Sequence, residues 1–301
     1  MKHIFIINPA AGKKDSRQRV YTMAEALKKN HDLDIECMLT KSRGHAMMLT
    51  RAIAETGENV RFYACGGDGT LMRFADAIRD IDLKVPVYFT PAGTGNDFLR
   101  DVRADEDPLL INKYIVDLPR VIVNGEEHVF VNGIGYGLDG YCCEVGDRMR
   151  AESKKKINYT SIAIKGLLFH YHPTNATIIV DGKEHKYKKV WLAPMMNGRF
   201  YGGGMMPSPN QDRLSEHGEI SVMVMHGSGK LKTLMIFPSI FSGKHIEHKG
   251  AVEVISGSEI NVKFDRPTAL QIDGETIKNV TEYSAFSRKR AGKTLPEFER
   301  I

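Results

Sequence analysis

Cys65–Ile78, with the sequence CGGDGTLMRFADAI, is a glycine-rich segment between a predicted strand and a predicted helix. The apolar run Val60–Ala64 predicts the strand. The helix is indicated by apolar residues at helical spacing, which are Leu71, Phe74, Ala75 and Ile78. The first N–H groups of a helix have no partner within it, and the positive end of its dipole lies there. This junction therefore favours bound phosphate.

The residue types inside the turn suit such a ligand. Gly66, Gly67 and Gly69 let the main chain approach a ligand closely and adopt positive φ. Asp68 places a carboxylate where a phosphate-bound metal or an attacking hydroxyl requires one. A single turn of this kind also fits a purely structural role.

Two further glycine-rich turns occur within the first hundred residues. The run Ile4–Ile7 is followed by the loop Asn8–Lys14, and the run Val85–Phe89 by Thr90–Arg100 (TPAGTGNDFLR). Between the first two units lie a predicted strand, Asp34–Leu39, then Thr40 and a helix over residues 43–55. Repeated strand–loop–helix units predict an open α/β sheet, whose ligand site gathers at the carboxyl ends of the strands.

Length and composition are those of an ordinary globular protein. A length of 301 residues is enough for one large domain or two ordinary ones. The composition, 42% hydrophobic and 26% charged, is that of a globular protein. No apolar run approaches the ~20 residues that span a bilayer, and the N-terminus passes straight into a predicted strand, so we expect no signal peptide. The four cysteines lack zinc spacing, and Cys37 and Cys65 fall in strands predicted to be buried, as expected in a reducing cytoplasm.

The second half changes to short strands separated by turns. Asn124-Gly125 and Asp181-Gly182 each predict a tight hairpin, and helices are predicted over residues 159–170 and 231–241. We expect a mainly antiparallel β domain over 127–285, after an α/β domain over 1–126. The predicted strands are Arg120–Asn124, His128–Asn132, Ala176–Val180, Lys188–Pro194, Glu219–Met225, Val252–Ile255, Glu259–Phe264 and Ala269–Ile272.

Three motifs in this order carry a resemblance to a known family. INPAAG (7–12), GGDGT (66–70) and PAGTGNDF (91–98) together resemble the diacylglycerol kinase catalytic family, and the soluble bacterial lipid kinases in particular. Sphingosine kinases, NAD kinases and phosphofructokinases are relatives that share GGDGT, whereas GTGND before an aromatic residue is more specific to lipid kinases. NGIGYGLDG (132–140), GGGM (202–205) and QIDGE (271–275) extend the resemblance over nearly the whole chain.

The resemblance implies an architecture as well as an activity. It implies an N-terminal α/β nucleotide-binding domain with an open sheet, similar to NAD kinase and phosphofructokinase. A mainly antiparallel β-sandwich domain would follow it. The active site would lie in the cleft between the domains, and the tail 286–301 would pack back on the first.

The resemblance also implies a nucleotide site. Asp68 and Asp97 would lie in a carboxylate–water–Mg²⁺ network beside the γ-phosphate of ATP, although Asp97 also suits the N-terminus of a helix. Lysines at a helix start, such as Lys13, are equally at home in solvent. The implied ATP contacts are Asn8, Pro9, Gly12, Lys13, Thr40, Gly66, Gly67, Asp68, Gly69, Thr70, Thr94, Gly95, Asn96 and Asp97.

The acceptor side would come from QIDGE. The residues alone indicate a strand that ends in a tight Asp-Gly turn. By resemblance, Asp273 or Glu275 is the general base for the lipid hydroxyl, with Asp273 favoured as closer to the chemistry, and Asp68 is the third catalytic carboxylate. A further loop would line the acceptor pocket with Asn132, Gly135, Gly137 and Asp139.

Residues 207–224 (PSPNQDRLSEHGEISVMV) depart from the family pattern. Bacterial relatives carry an L-D-D-G-x-L-D-like stretch here that holds a structural Mg²⁺, whereas this chain has His217-Gly218 for Asp-Gly and Ser221 for the final acid. Mg²⁺ prefers hard oxygen ligands, and histidine is a poor substitute. The remaining candidates for this accessory site are the Leu214 carbonyl and Glu216, or Asp212.

The predicted function is that of an ATP- and Mg²⁺-dependent lipid kinase that converts diacylglycerol to phosphatidate. A sphingoid base, ceramide or a polyprenol is an alternative acceptor. NAD kinase is a second alternative, against which Asn96-Asp97-Phe98 counts. The third is a non-catalytic nucleotide- or lipid-binding regulator, against which the three aspartates Asp68, Asp97 and Asp273 count.

The net charge of +5 is modest, and it is concentrated in two clusters. Arg148, Arg150 and Lys154–Lys156 form one, and Arg288–Arg290 with Lys293 form the other. Such runs are either solvated faces or contacts to anionic lipid headgroups. We expect a cytoplasmic enzyme that meets a membrane surface peripherally and does not bind nucleic acid, with a homodimer as the commonest assembly.

Overall fold

The computed structural model describes residues 1–9, 11, 14–31, 33–55, 59–81, 83–93, 95–102, 106–152 and 157–288, with the backbone alone at 14–17, 30, 31 and 43. The chain divides into two compact units. The first is Met1–Leu118, and the second begins at Pro119. This boundary precedes residue 126, the boundary expected from the sequence, because the first hairpin after Pro119 pairs with the sheet of the second unit.

The first unit is an α/β domain with a five-stranded sheet of order β2-β1-β3-β4-β5. The first four strands are parallel and β5 is antiparallel to β4. The predicted open sheet is therefore confirmed. Its strands are β1 (Lys2–Ile7), β2 (Asp34–Leu39), β3 (Val60–Gly66), β4 (Val87–Pro91) and β5 (Leu109–Leu110). Its helices are α1 (Lys14–His31), α2 (Arg43–Glu55), α3 (Asp68–Ala77), α4 (Asp97–Val102) and α5 (Asn112–Ile115).

Aromatic residues hold the sheet between its helices. Phe5, Tyr63 and Tyr88 are register partners on one face, with stacked ring centroids 4.1 and 5.1 Å apart. Because side chains alternate along a strand, Phe62 and Phe89 occupy the opposite face. The rings of Phe74 in α3 and Phe98 in α4 meet Phe62 and Phe89 edge to face there. This packing holds α3 and α4 against that face of the sheet.

The expectation for the cysteines is half correct. Cys65 is fully buried in the central strand β3. Cys37 is exposed, contrary to the prediction, because β2 is the edge strand of the sheet.

The second unit is built on a ten-stranded antiparallel sheet. Eight strands follow the path β13-β12-β11-β8-β14-β15-β6-β7, and the β9–β10 hairpin joins it through β14. The predicted antiparallel β domain is thus confirmed. The strands are β6 (Arg120–Val123), β7 (Glu126–Val129), β8 (Gly133–Tyr136), β9 (Thr174–Val180), β10 (Lys183–Val190), β11 (Met195–Met196), β12 (Ile220–Met225), β13 (Val252–Gly257), β14 (Glu259–Ile272) and β15 (Glu275–Phe286).

The Asx-Gly pairs form the hairpin turns. Asn124, Asp181 and Asp273 have φ of 51°, 48° and 44°, and the glycine after each also has positive φ. Two consecutive residues with positive φ match the right-handed twist of a hairpin. The hairpins predicted at Asn124-Gly125 and Asp181-Gly182 are confirmed, and the Asp273-Gly274 turn joins β14 to β15.

Strands β8 and β15 were not among the predicted strands, and β10 (Lys183–Val190) stands in place of the predicted Lys188–Pro194. Other features of this unit also differ from the prediction. A helix, α6 (Leu138–Glu152), occupies a stretch that we expected to begin as a loop. Glu259–Phe264 and Ala269–Ile272 are parts of one strand, β14, whose register shifts between Lys263 and Thr268. That irregularity accommodates Pro267, which has no N–H for a regular ladder.

Three short helical segments complete the second unit. They are α7 (Tyr159–Lys165), which continues as a π-helical turn over Gly166–His170, then α8 (Lys230–Ile236) with a 3₁₀ turn over Phe237–Ser242, and a 3₁₀ turn over Lys244–Glu247. Both helices fall where the sequence predicted them. Among the described residues, no helix is long and apolar enough to cross a bilayer.

Candidate active site

Asp68 joins two of the glycine-rich turns of the first unit. It is the first residue of α3, directly after β3 and Gly67. Its Oδ2 accepts the N–H of Asp97 at 3.1 Å and its Oδ1 accepts the N–H of Phe98 at 2.9 Å. These donors belong to the first turn of α4, where a carboxylate is favourably placed against the helix dipole. Asp68 thus fixes Asp97 beside it, at the carboxyl edge of β3 and β4.

The same two turns approach each other through glycines. An ideal Cβ built on Gly93 would lie 2.4 Å from the Cα of Gly67, closer than real Cβ contacts. Gly66 O accepts the N–H groups of Ala92 at 2.7 Å and Gly93 at 3.2 Å. The loops therefore pack backbone to backbone, and Gly93 is required at this crossing. Gly93 stands in the PAGTGNDF motif but was not among the predicted site residues.

The loop after β1 is fastened to the GGDGT turn. Asn8 Nδ2 donates to Thr70 Oγ1 at 3.0 Å, and the Asn8 N–H donates to Cys65 O at 3.2 Å. The Ala11 N–H donates to Asn8 O, so Pro9 stands at the second position of a turn that its fixed φ suits. Asn8, Pro9 and Thr70 are thus brought together with Asp68 at one edge of the sheet.

Thr40 follows β2 and lies beside β1. Its N–H donates to Ile7 O at 3.0 Å, and its side chain is buried. It therefore belongs to the same edge of the sheet as Asn8. Three of the ATP contacts implied by the resemblance, Gly12, Lys13 and Thr94, lie outside the described residues.

Asp97 is buried. It is 4% exposed, and its Oδ1 accepts from Arg100 Nη1 at 3.3 Å within α4. Asn96, just before it, has φ of 52°, and its Oδ1 is buried without a hydrogen-bond partner among the described residues. A buried amide oxygen without a hydrogen-bond partner is a feature that occurs at functional sites. Gly95 completes this loop, where an added Cβ would approach Asp68 Oδ2 to 3.0 Å.

In the second unit, the Asp273 carboxylate accepts hydrogen bonds from the backbone at the start of β8. Its Oδ2 accepts the N–H of Val131 at 2.6 Å, and its Oδ1 accepts those of Asn132 and Gly133 at 2.9 and 3.0 Å. Glu275 is the first residue of β15, two positions after it, and is half-buried. The carboxylate of Asp273 therefore organises the 131–133 loop, whatever else it does.

Arg213 and Asn197 belong to this cluster and were missed from the sequence. Arg213 is 5% exposed, and its guanidinium donates to Val131 O at 3.2 Å and Asn132 Oδ1 at 3.0 Å. Asn197 Nδ2 donates to Val131 O at 2.8 Å. These contacts join positions far apart in the chain, which no local pattern marks.

The loop expected to line an acceptor pocket is regular structure instead. Gly135 lies in β8 and Asp139 in α6, with Asn132 and Gly137 at the ends of β8. Asp139 is buried and accepts a hydrogen bond from Tyr201 Oη. Burial raises the pKa of Asp139 to about 7, and the Tyr201 hydrogen bond opposes that rise. Asp139 is therefore a core residue of its unit.

Metal binding fits one of the two predicted places. Mg²⁺ in kinases is held by one or two carboxylates together with substrate phosphates and water. Asp68 and Asp97 can supply the carboxylates. The accessory site at Leu214 and Glu216 stays a prediction; Asp212 Oδ1 accepts the Leu214 N–H at 2.9 Å, and the adjacent Arg213 is a buried cation. Within the described part of the chain, no group of three His, Cys, Asp or Glu residues is arranged to hold a metal.

Comparison with known proteins identifies the family. Residues 2–122 match the diacylglycerol kinase catalytic domain, and residues 132–287 match the YegS C-terminal NAD kinase beta sandwich-like domain. The chain therefore belongs to the diacylglycerol kinase-like family of lipid kinases and is an enzyme of that class. Membership of a kinase family implies the use of ATP. The resemblance on which the sequence analysis relied is thus confirmed.

Individual relatives agree with this assignment at low identity. The "Putative lipid kinase YtlR" of Bacillus subtilis is 26% identical over 300 residues, which cover 92% of this chain and 94% of the relative. The "Diacylglycerol kinase" of Mycobacterium tuberculosis is 29% identical over 210 residues, covering 66% of this chain and 65% of its own. A crystal structure of a "putative diacylglycerol kinase" from Bacillus anthracis has the same fold, with a TM-score of 0.69, 22% identity and coverage of 95% and 91%.

Proposed function

We propose that this enzyme transfers the γ-phosphate of ATP to the hydroxyl group of diacylglycerol, forming phosphatidate. The observation that carries the proposal is the Asp68 carboxylate, which spans the start of α3 and the start of α4 and lies beside Asp97. Phosphoryl transfer requires positioned charges of this kind around a held nucleotide. Relatives that carry the name diacylglycerol kinase support the choice of acceptor.

The first unit has the parts of a nucleotide site. The N-terminus of α3 presents N–H groups and the positive end of a helix dipole to phosphate. Asn8 and Thr70 hold the adjoining loop in place. Mg²⁺, which Asp68 and Asp97 would hold, supplies positive charge that offsets the charge on the phosphate oxygens.

The bond changes of the transfer are those of an in-line displacement. The acceptor hydroxyl oxygen forms the new bond to the γ-phosphorus, the bond from that phosphorus to the bridging oxygen breaks, and ADP leaves. The hydroxyl proton passes to a carboxylate. Asp273 and Glu275 are the two candidates, and Asp273 already accepts three N–H groups with the roughly four acceptor positions that a carboxylate offers.

Paired variants separate these two roles. If Asp273 is the base, Asp273→Asn lowers kcat by about 100- to 10,000-fold, the usual share of general base catalysis, and also lowers the melting temperature because the 131–133 loop loses an acceptor. Glu275→Gln then has the smaller effect on kcat. If instead Glu275→Gln lowers kcat by this factor, and Asp273→Asn lowers only the melting temperature, the base is Glu275. Equal small effects on kcat contradict both assignments.

A panel of acceptors tests the reaction itself. Purified protein is incubated with labelled ATP, Mg²⁺ and mixed micelles of diacylglycerol, sphingosine, ceramide or a polyprenol, with NAD in a parallel reaction. Labelled phosphatidate is the expected product. Label in another lipid keeps the mechanism and changes the acceptor, and labelled NADP supports the NAD kinase alternative. No labelled product with any acceptor supports the non-catalytic alternative.

An enzyme that phosphorylates a membrane lipid must reach that lipid at the membrane surface. We propose that the enzyme acts at the cytoplasmic surface of a membrane, which it contacts peripherally. By sequence, the basic clusters are either solvated faces or lipid contacts, and Lys154–Lys156, Lys289, Arg290 and Lys293 lie outside the described residues. Arg288 is buried and donates to Ser215 O at 3.1 Å, so it is engaged within the second unit.

A further inference from the structure

Two helices of the second unit expose large apolar side chains on one surface. We call Ile164, Phe169, Leu231 and Met235 the apolar helical face. Phe169, Leu231 and Met235 are 68%, 75% and 77% exposed, and Ile164 is 39% exposed. Single exposed apolar residues need no explanation, but contiguous ones mark interaction sites.

The opposite sides of the same helices are buried in one core. Ile162 and Leu167 of the α7 segment and Ile236 and Phe237 of the α8 segment lie in a single apolar cluster. Each helix therefore already has a packed side, and the apolar helical face is additional to what folding requires.

A direct contact holds the two helical segments of this face next to each other. Lys230 Nζ donates to Leu168 O at 2.8 Å, joining the start of α8 to the π-helical turn. Phe169 and Leu231 are each one residue away from this hydrogen bond. Met235 lies one helical turn beyond Leu231, on the same side of α8.

The two sequence stretches that form this face carry formal charges of one sign. Residues 157–172 and 226–246 contain no aspartate or glutamate. They carry Lys165, Lys230, Lys232 and Lys244, of which Lys165, Lys232 and Lys244 are exposed. An apolar surface flanked by lysines is complementary to a bilayer that contains anionic lipids.

The helix that carries the first basic cluster lacks this property. In α6, Arg150 pairs with Asp147 at 2.8 Å, and Glu144 and Glu152 lie on the same helix. Its cations are thus partly neutralised by neighbouring acids.

We propose that the apolar helical face docks on an anionic phospholipid bilayer, with Phe169, Leu231 and Met235 entering the interface and Lys165 and Lys232 contacting headgroup phosphates. This inference rests on the proposed function, which requires access to a membrane lipid, and it names the surface that provides it. Insertion buries apolar area that is exposed in the free protein, and each lysine near the surface adds about 1 kcal/mol of attraction.

Vesicle co-sedimentation tests the proposal without turnover. The vesicles contain phosphatidylcholine alone or with phosphatidylglycerol at a fixed fraction, and the protein is the full chain. Phe169→Ser/Met235→Ser is expected to lower the partition coefficient on phosphatidylglycerol vesicles by about tenfold per side chain, the factor that 1.4 kcal/mol corresponds to. Met48→Ser/Ile122→Ser, which removes exposed apolar side chains elsewhere, is the matched control and should bind like wild type.

A second pair of variants tests the charges. Lys165→Gln/Lys232→Gln should weaken binding about fivefold per lysine, the factor for about 1 kcal/mol, and only on vesicles with phosphatidylglycerol. Lys183→Gln/Lys186→Gln makes the same charge change on the exposed β9–β10 hairpin and should have no effect. Melting temperatures equal to wild type in all four variants exclude misfolding as the cause.

The outcomes separate this proposal from the proposed function. Wild-type binding in the apolar and lysine variants, or no vesicle binding by the wild type, overturns the docking surface even if diacylglycerol in detergent micelles is phosphorylated. Loss of binding in these variants upholds the surface even if no lipid is phosphorylated. A change in sedimentation coefficient from dimer to monomer in Phe169→Ser/Met235→Ser assigns the face to a second copy and also overturns the proposal.

Discussion

At the scale of single residues, the proposed phosphoryl transfer depends most on Asp68. Asp68→Asn keeps an oxygen that can accept one N–H from the start of α4 but removes the negative charge beside Asp97. We expect kcat to fall by about 100-fold or more, as when one preorganised electrostatic group is removed from an active site. Initial rates at varied ATP measure it.

Asp76→Asn is the control for Asp68→Asn. Asp76 lies on the same helix and pairs with Arg79 at 3.0 Å, away from the glycine-rich turns. Its variant should retain kcat within about twofold, since Asp76 contacts Arg79 and not the glycine-rich turns. Wild-type kcat in Asp68→Asn would remove Asp68 from the mechanism.

Asp139 predicts a pH dependence of stability. Its pKa in the folded protein is raised to about 7 by burial, above the value of 3.8 for an ordinary aspartate. Its contribution to the free energy of unfolding is therefore fully present below about pH 4 and is lost as the pH rises through 7. Relative to Asp139→Asn, the wild type should lose up to about 1.4 kcal/mol per pH unit in this window. Urea denaturation at pH 5, 6 and 7 measures it, and parallel profiles would contradict it.

The sequence predicted the residues of the site unevenly. Asp68, Asp97 and their glycines stand in short motifs whose strand-to-helix context is itself visible, so their meeting at one sheet edge followed from the fold class. Arg213 and Asn197 contact the 131–133 loop from 82 and 66 positions away in the chain. Only tertiary structure brings them there, and neither residue type is unusual in its local sequence.

At the scale of elements, α6 shows what periodicity alone misses. Gly140 and Gly146 weaken its helical pattern, because glycine is a poor helix former. The structure gives a reason for Gly140. An added Cβ would lie 1.7 Å from Ala269 O, so the helix packs directly on the backbone of β14. The pattern was broken to allow close packing.

This packing is testable with two glycine-to-alanine changes in helices. Gly140→Ala should destabilise the protein by about 3 kcal/mol or more, because α6 must move away from β14. Gly44→Ala in α2 has no atom within 4 Å of its new Cβ and should be neutral or stabilising by up to about 1 kcal/mol. Urea denaturation compares them. Equal stabilities of the two variants would refute the packing argument.

Strands with a clear turn on either side were predicted best. β2 and α2 have the bounds that the sequence indicated, and the Asx-Gly turns mark their hairpins. β14 was divided in two because Pro267 interrupts its pattern, whereas the strand continues through an irregular register. Burial on each strand depended on its place in the sheet, as the exposed Cys37 of β2 shows.

At the scale of the whole molecule, we predict that no structural metal contributes to stability; among the described residues, no three His, Cys, Asp or Glu side chains are arranged to hold one. Arg213 is the cation buried near the 131–133 loop, and the acidic residues of 207–221 do not gather around it. The melting temperature without nucleotide should therefore be the same in EDTA and in millimolar Mg²⁺, within about 1 °C. A ligand that binds only the folded state raises stability by mass action, so a rise of several degrees with Mg²⁺ alone would show that an accessory site exists. Mg²⁺ with ATP is the positive control.

The order of the two domains followed from composition and period, because strand–loop–helix units give way to short strands with hairpin turns. The family followed from motifs that lie in both halves of the chain. The acceptor did not follow from either, since a hydrophobic lipid is selected by side chains that the motifs do not include.

The central claim is that this enzyme phosphorylates diacylglycerol, and the most direct test is the initial rate of labelled phosphatidate formation from labelled ATP, Mg²⁺ and diacylglycerol in mixed micelles. The account predicts a rate in the range of roughly 1 to 100 per second that is common to kinases, with Asp76→Asn retaining it and Asp68→Asn losing it. No labelled phosphatidate from the folded wild-type protein, with label instead in NADP or in no product, would contradict it.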